Sequence, residues 1–385
     1  MHVGRFYCEL NAKLTGYVGA NVMLTGGLGI EVENGKGLTL SGINNGMPEG
    51  QMDAFAGAQV SVVASTSLYW NLPDEVRKKV NYMRAHDPVE EWACVGMLSA
   101  GLTANWGVGY SRSFQLGMKN GKLVFVGDAG MTTGLGLKGR LAFEIDFKTV
   151  SYWMAVVQNE LHKNDYRHIE WVTPDAFDFL SMISYLCLTT ALDASFFAAR
   201  QLTFVQKVFD SINQSERAGM VALRIVRAME EAAEDQNSET AASYQEWFRG
   251  LQPEAIGPLL HNLVSEPVEC EGEDGKRRSP EQMLVIQQTS ILQCLEWMSG
   301  AEDALPETYR GATPNRIQRQ FEESVTRMNT HGKKPEGDLI LVARNNVARL
   351  DEFMGRDLKL REDRDRYSDY QILRRQLDKH LWEGS

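Results

Sequence analysis

The sequence is poor in cysteine, and its cysteines lie far apart. Five are spread over 385 residues, and none belongs to a C-x-x-C pair. Paired cysteines are typical of structural zinc sites, and dense cysteines are typical of small disulfide-bonded domains. We therefore expect no metal site, no cofactor and no disulfide framework, but buried free thiols made in a reducing cytoplasm. The cysteines are Cys8, Cys94, Cys187, Cys270 and Cys294.

Positive charge is also scarce. The formal net charge is −11 and the isoelectric point is near 5.3. The basic run Lys276–Arg278 is only three residues long, and no longer one occurs. An acidic chain without a basic patch repels the phosphate backbone, so nucleic acid is not an expected partner.

Long hydrophobic runs are missing too. The segment 179–192, "FLSMISYLCLTTAL", carries no charge, but its 14 residues are fewer than the about 20 that span a bilayer. We predict that it is a buried central helix. The N-terminus lacks a basic stretch followed by an apolar run, so no Sec signal peptide is expected. It enters strand-like sequence at once, as though cut from a longer protein.

Common catalytic signatures are absent. The chain has no G-x-S-x-G, no H-E-x-x-H and no H-x-E followed by paired cysteines, which weakens the case for an enzyme. The match of "GLGLKG" to G-x-G-x-x-G, at Gly134, Gly136 and Gly139, runs into the strand-like "LAFEID" where a dinucleotide fold needs a helix. We interpret it as a chance match and name no catalytic residue.

Histidines offer two weak candidates. His162 and His168 flank Asp165 in a polar segment after a predicted helix, as a metal or acid/base cluster would, although solvated loop histidines give the same pattern. His261 lies among leucines, which favours a hydrogen-bonded core histidine over a catalytic base.

Glycine divides the chain. Of 34 glycines, 23 lie before residue 150. In that part small or apolar residues alternate with polar ones, as in half-buried strands, and one such face runs from Leu14 to Leu24. Asn34-Gly35 and Asn120-Gly121 predict type I′ hairpin turns. Further strands are predicted over 58–64, 104–110 and 135–145, and a short helix over 72–91.

After Asp146 the apolar period becomes 3.6, which is typical of amphipathic helices. The predicted helices cover 148–163, 174–192, 195–213, 217–234, 238–250, 253–264, 280–300, 314–329, 338–354 and 363–382. Residues 265–278 are polar and unpatterned, so an exposed loop is expected. The last helix would dock an apolar stripe containing Ile372, Leu373, Leu377, Leu381 and Trp382 on its own bundle or on a partner.

These patterns predict an α+β fold with two domains. Residues 1–146 would form a Gly-rich antiparallel sheet, as a curved sheet, a sandwich or a barrel, with the helical insertion at about 72–91. Residues 147–385 would form an all-α helical bundle. Glycine inside strands packs poorly, so its frequent use indicates bulges, curvature or a close approach of backbone.

The sequence resembles the C-terminal region of VasX-like, MIX-type effectors of the type VI secretion system. The resemblance is carried by four glycine-rich segments, residues 16–32, 54–70, 92–126 and 134–146. Two helical segments also contribute, "FRGLQPEAIGPLLHNLVSE" from residue 248 and "ATPNRIQRQFEESVTRMN" from residue 312. Members of this family are antibacterial toxins that damage the inner membrane of competitor cells.

The resemblance implies a region that binds or stabilises and has no catalysis of its own. Implied partners are an immunity protein, the upstream part of the same toxin, the secretion apparatus or a chaperone, and the target-cell membrane. The protein would be made in the cytoplasm and delivered into target cells without a Sec signal. A hydrolase of lipid or cell wall with an unrecognised site, and a non-toxic adaptor or scaffold, are the alternatives.

Overall fold

The computed structural model divides into two compact units, which we call the sheet unit and the helical unit. The sheet unit comprises Met1–Trp153 and Glu170–Ala176, and the helical unit comprises Met154–Ile169 and Phe177–Ser385. The residues that the structure describes are 5–15, 22–33, 37–42, 61–72, 93–98, 114–129, 139–163, 166, 169, 171–190, 192–234, 248–272, 274–299 and 314–378. The assignment of 1–146 and 147–385 to two domains stays a prediction.

In the described part of the sheet unit, antiparallel strands form one open sheet in the order β3-β2-β1-β4-β5-β8-β7-β6. The strands are β1 (Arg5–Thr15), β2 (Val22–Glu33), β3 (Gly37–Gly42), β4 (Ser61–Asn71), β5 (Ala93–Leu98), β6 (Phe114–Lys119), β7 (Lys122–Ala129) and β8 (Gly139–Ile145). The predicted antiparallel sheet followed by helices is thus observed. The sheet is not closed, so the closed alternative is not the one formed.

The strand pairs of both predicted hairpins are present. Strands β2 and β3 pair from Glu33 opposite Gly37, and the turn residues between them lie outside the described residues. Strands β6 and β7 pair from Lys119 opposite Lys122. Between them Asn120 and Gly121 have φ angles of 52° and 76°, the left-handed geometry of a type I′ turn.

The prediction that residues Leu14 to Leu24 share one continuous strand face is wrong. Leu14 pairs with Val22 across β1 and β2, so the two ends of that pattern belong to neighbouring antiparallel strands. Small and polar residues alternate before and after the reversal, which hides it from a period-two pattern. The prediction missed β5, while the predicted strand at 104–110 and the helix at 72–91 lie outside the described residues.

One strand glycine is required by a close approach of backbone. Gly96 of β5 pairs with Ile145 of β8, and a Cβ atom at this position would lie 2.3 Å from the Glu144 carbonyl oxygen. The opposite edge of β5 meets β4 at a register shift between Leu68 and Tyr69. A bulge on one side and a tight contact on the other leave no room for a side chain.

Aromatic rings form the core of the sheet unit. The Trp153 ring stacks on Trp70 with centroids 4.3 Å apart, and it also contacts Phe125 at 5.5 Å and Trp171 at 6.4 Å. All four side chains are buried. Such rings bury large apolar areas, and their offset contacts add about 0.5–1.5 kcal/mol per pair beyond that burial.

The described part of the chain after Ile145 is mostly helical. Its helices are α1 (Val150–Lys163), α2 (Pro174–Thr190), α3 (Ala194–Ala198), α4 (Leu202–Ile212), α5 (Ala218–Glu234), α6 (Pro253–Leu263), α7 (Pro280–Ser299), α8 (Pro314–Thr326), α9 (Leu339–Met354) and α10 (Arg361–Leu377). Eight predicted helices are thereby placed to within a few residues, the one over 195–213 is not, and most of the tenth, 238–250, lies outside the described residues.

Three helical predictions are corrected. The single helix predicted over 195–213 is two helices, because the helical structure is interrupted between α3 and α4, near Arg200. The loop at 265–278 contains a short hairpin formed by β9 (Cys270–Glu271) and β10 (Arg277–Arg278). The last helix packs on α7, and its Tyr370 and Leu377 are buried, whereas Ile372, expected in the apolar stripe, is 54% exposed. Leu381 and Trp382 lie outside the described residues.

The uncharged segment predicted as a central helix is largely buried within α2. Phe179, Leu180, Ile183, Tyr185 and Leu186 are at most 1% exposed. The segment's last residue, Leu192, is 42% exposed. Among the helices that the structure describes, none is both long and apolar enough to cross a membrane.

Candidate functional site

Of the candidate histidines named from sequence, only His261 has a side chain in the described part of the chain. The side chains of His162, Asp165 and His168 lie outside it. His261 lies half-buried on α6, where its Nδ1 accepts a hydrogen bond from Arg349 over 3.3 Å. Burial, and then the charge of Arg349, lower the pKa of His261. The predicted hydrogen bond is therefore present, whereas the predicted place in the core is not, because the ring is only half-buried.

The thiols whose environment is described are free cysteines. Burial raises the pKa of Cys187 and of Cys294 far above the ordinary range, and raises that of Cys270 as well. A thiol with a raised pKa stays protonated at neutral pH and is a poor nucleophile. Among the residues that the structure describes, no three His, Cys, Asp or Glu side chains form a group that could hold a metal ion.

The described part of the helical unit contains a groove along α5, with a volume of about 920 Å³. We call it the α5 groove. Its long wall is formed by a 3₁₀ turn (Ser215–Arg217) and by α5, which contribute Arg217, Met220, Arg224 and Arg227. The β9–β10 hairpin contributes Asp274 and Arg278. Helices α2, α4 and α7 complete the lining. A concave site that mixes apolar and charged side chains is the usual form of a ligand site.

The hairpin wall is held in place by an internal ion pair. The Arg278 guanidinium donates to both oxygens of Asp274, over 3.0 and 2.9 Å. The hydrogen bond from Arg278 lowers the pKa of Asp274 to about 2. At its base the hairpin packs on α5, since a Cβ atom at Gly219 would lie 3.2 Å from the Cys270 Cβ. The close fit at Gly219 fixes where the hairpin stands beside the groove.

The α5 wall carries cations whose charges are not matched by the hairpin. No ion pair links Arg217 or Arg224 to a carboxylate of the described residues. The two arginines lie seven residues apart, which places them on one face of the helical path. The Nε atom of Arg224 is buried and has no hydrogen-bond acceptor within the described part of the chain.

Beside the groove, buried polar side chains fix the end of α4. Asn213 accepts hydrogen bonds from the Tyr185 hydroxyl over 3.2 Å and from the Asn262 amide over 3.1 Å. Its own amide donates to the Thr330 carbonyl. Buried polar groups that find partners make a rigid, specific junction, here between α2, α4 and α6. This junction holds α2 and α4, which line the groove, in fixed positions.

Helices α6 and α8 also pack closely. A Cβ atom at Gly257 would lie 2.4 Å from the Arg327 carbonyl oxygen, so only glycine fits there. The Arg327 Nε lies 2.9 Å from a carboxylate oxygen of Glu254. Gln320 donates to the carbonyl oxygens of Arg249, over 2.8 Å, and Leu251, over 3.0 Å. These contacts join the two segments, 248–266 and 312–329, on which part of the family resemblance rests.

Sequence reasoning did not find the α5 groove. Its arginines occur singly along an amphipathic helix, where they look like ordinary solvated charges, and its hairpin wall was expected to be a loop. One signal was available, since Arg217, Arg224 and Met220 recur at helical spacing. Comparison with known protein families, with curated proteins and with solved structures finds no match for this chain.

Proposed function

We propose that this chain is the C-terminal region of a type VI secretion effector, an antibacterial toxin that acts at the membrane of competitor cells. In this proposal the region serves binding or stabilisation and not catalysis. It is made in the cytoplasm and delivered without a Sec signal. Its partners are an immunity protein, the upstream part of the toxin, the secretion apparatus or a chaperone, and the target-cell membrane.

The observation that carries the proposal is the contact between the two helical segments of the resemblance. Residues 248–266 include α6, residues 312–329 include α8, and Gly257 lies against the Arg327 backbone. Segments that pack on each other constrain each other's sequence, because a larger side chain at the contact would separate them. This supports a resemblance that extends to a folded unit and not only to a helical pattern.

The α5 groove supports the binding role. Its long wall combines the exposed Met220 with Arg217 and Arg224, whose charges no carboxylate of the described residues pairs with. Arginine is one of the residue types enriched at binding hot spots. Methionine at such a surface adapts to differently shaped partners.

Expression of the chain in the bacterial periplasm tests the proposal. Growth and membrane potential are followed with and without the product of the reading frame adjacent to its gene. We expect the adjacent product to bind the chain and to suppress any depolarisation. Loss of viability with the potential intact would favour a hydrolase instead. No effect on cells and no binding would favour a scaffold without a toxin role.

A further inference from the structure

We propose that the α5 groove binds one anionic amphiphile, a single alkyl or acyl chain that ends in a phosphate or carboxylate. The inference deepens the proposed function, because it rests on the groove being a binding site and names the chemistry of its ligand. The ligand's source is either a free amphiphile or a lipid of the target membrane, and both share this chemistry.

The charges of the groove define where an anion would lie. On the hairpin the acids are matched, because Asp274 is bound by Arg278 and Glu271 lies 3.7 Å from the Arg277 Nε. The cationic side chains of the 3₁₀ turn and α5 have no such match at Arg217 and Arg224. An anionic head group is therefore attracted to the α5 wall and not to the hairpin.

Arg224 supplies the most specific element of this wall. Its Nε–H is buried and meets no acceptor among the described residues. A buried guanidinium N–H without an acceptor is costly, and a charged acceptor recovers more than a neutral one. A phosphate or carboxylate oxygen placed at Arg224 satisfies this donor, and Arg217 adds a second cation on the same face.

The rest of the groove lining is apolar, so the ligand should also carry an apolar part. Met220 is 52% exposed, and Ile212, Leu223, Val226 and Ile286 are each only partly buried. All five line the groove. An inorganic anion would leave these side chains in water, whereas an uncharged alkane would leave the Arg224 donor unpaired. A ligand with one anionic end and one alkyl chain satisfies both.

The groove is large enough to hold an alkyl chain with an anionic end. Its volume of about 920 Å³ lies at the upper end of the range of about 300–1,000 Å³ found for small-molecule sites. Glu230 also lines the groove, and its charge acts on Arg278. This carboxylate disfavours a second anionic group at the far end of α5. The ligand therefore carries its charge at one end.

Calorimetric titration of the purified full chain with octyl phosphate tests the proposal. Octanol and inorganic phosphate serve as the matched chain and head alone. We expect saturable binding of octyl phosphate at one site, at least about tenfold tighter than either fragment, since burial of the alkyl chain adds to the charged contact. Equal affinity for inorganic phosphate would overturn the proposal, and so would no binding of octyl phosphate.

Two variants separate head from chain. Arg224→Gln is expected to weaken octyl phosphate binding about tenfold, the cost of a charge-assisted hydrogen bond. Met220→Ser is expected to weaken octyl phosphate binding and to leave binding of inorganic phosphate unchanged. Arg375→Gln, at an exposed arginine of α10 away from the groove, is the control. If Arg224→Gln binds as tightly as the control variant, the head group does not lie at Arg224.

Vesicle flotation distinguishes the two sources. Phosphatidylcholine vesicles are compared with vesicles that also contain phosphatidylglycerol. Flotation that needs phosphatidylglycerol and Arg224 identifies a membrane lipid, whereas octyl phosphate binding without flotation identifies a free amphiphile; either result supports the proposal. The proposed function fails separately, since it depends on the adjacent gene product. If octyl phosphate does not bind but Arg224→Gln weakens binding of that product, the groove holds a protein segment and the amphiphile is excluded.

Discussion

The side-chain amide of Gln288 donates a hydrogen bond to the carbonyl oxygen of Phe353 over 3.1 Å. The same nitrogen lies 3.3 Å from the carbonyl oxygen of Met354 and 3.1 Å from that of Arg356. The Gln288 carbonyl oxygen accepts from Arg366 over 3.0 Å. One buried residue of α7 thus satisfies the C-terminus of α9, whose last carbonyls lack helical donors, and holds α10 beside it.

Replacement of Gln288 by leucine is expected to lower the free energy of unfolding by about 1–3 kcal/mol, because the α9 carbonyls lose their donor in a buried place. Urea denaturation measures the change. Gln206→Leu, at an exposed position of α4, is the control and should change the free energy by less than about 0.5 kcal/mol. Equal effects of the two substitutions would show that the Gln288 contacts do not stabilise the fold.

Gly257→Ala tests the contact between α6 and α8. The added methyl group would lie 2.4 Å from the Arg327 carbonyl oxygen, so the helices must separate. We expect a loss of about 1–3 kcal/mol in the free energy of unfolding, the usual cost of overpacking. Gly117→Ala is the matched control, since its methyl group would meet Thr173 at an ordinary 3.5 Å. A neutral Gly257→Ala would contradict the close packing.

The Asp274 carboxyl of the hairpin is expected to titrate near pH 2. Its pKa lies below the ordinary 3.8, first because Arg278 donates to it. Since the folded pKa is lowered, the stabilisation of the hairpin by this pair is complete above pH 3.8 and is lost as the pH falls toward 2. Carbon-detected NMR titration measures the midpoint. In Arg278→Gln the midpoint should rise toward 3.8, and an unchanged midpoint would exclude the pair as its cause.

His261 is expected to titrate below its ordinary pKa of 6.5, because burial and Arg349 disfavour the charged ring. Its lowered pKa gives a stabilisation that is present above pH 6.5 and is lost as the pH falls through the folded pKa. Nitrogen NMR of the ring across this range measures the midpoint. Arg349→Gln should raise the midpoint, whereas Arg375→Gln should leave it in place. A midpoint above 6.5 would contradict the observed contact.

Most of the helices and strands could be predicted from the sequence, but little of their arrangement could. The hairpin at Asn120-Gly121 is local, since two residues with positive φ determine it, and it was predicted correctly. The pairing of Leu14 with Val22 was missed, because alternation does not reveal where a strand reverses. Strand β5 was missed because its sequence, ACVGML, shows no alternation of apolar and polar residues.

The α5 groove could not be predicted from the sequence, because its residues come together only in the folded chain. Arg224 and the hairpin residue Asp274 are 50 positions apart and both line the groove, where the hairpin packs on α5 at Gly219 and Cys270. Local propensity carries no information about such a contact, which depends on the absence of a side chain at Gly219. The buried Nε of Arg224 is equally invisible, because an arginine on an amphipathic helix is normally solvated.

The most direct test of the account measures binding of the intact chain to the product of the adjacent reading frame by isothermal titration. Circular dichroism first confirms that both proteins are folded, and size-exclusion chromatography with light scattering then gives the mass of the complex. We expect saturable binding and a discrete complex. Two folded proteins that give no heat and elute separately at micromolar concentration would contradict the role of this chain as the binding region of a toxin.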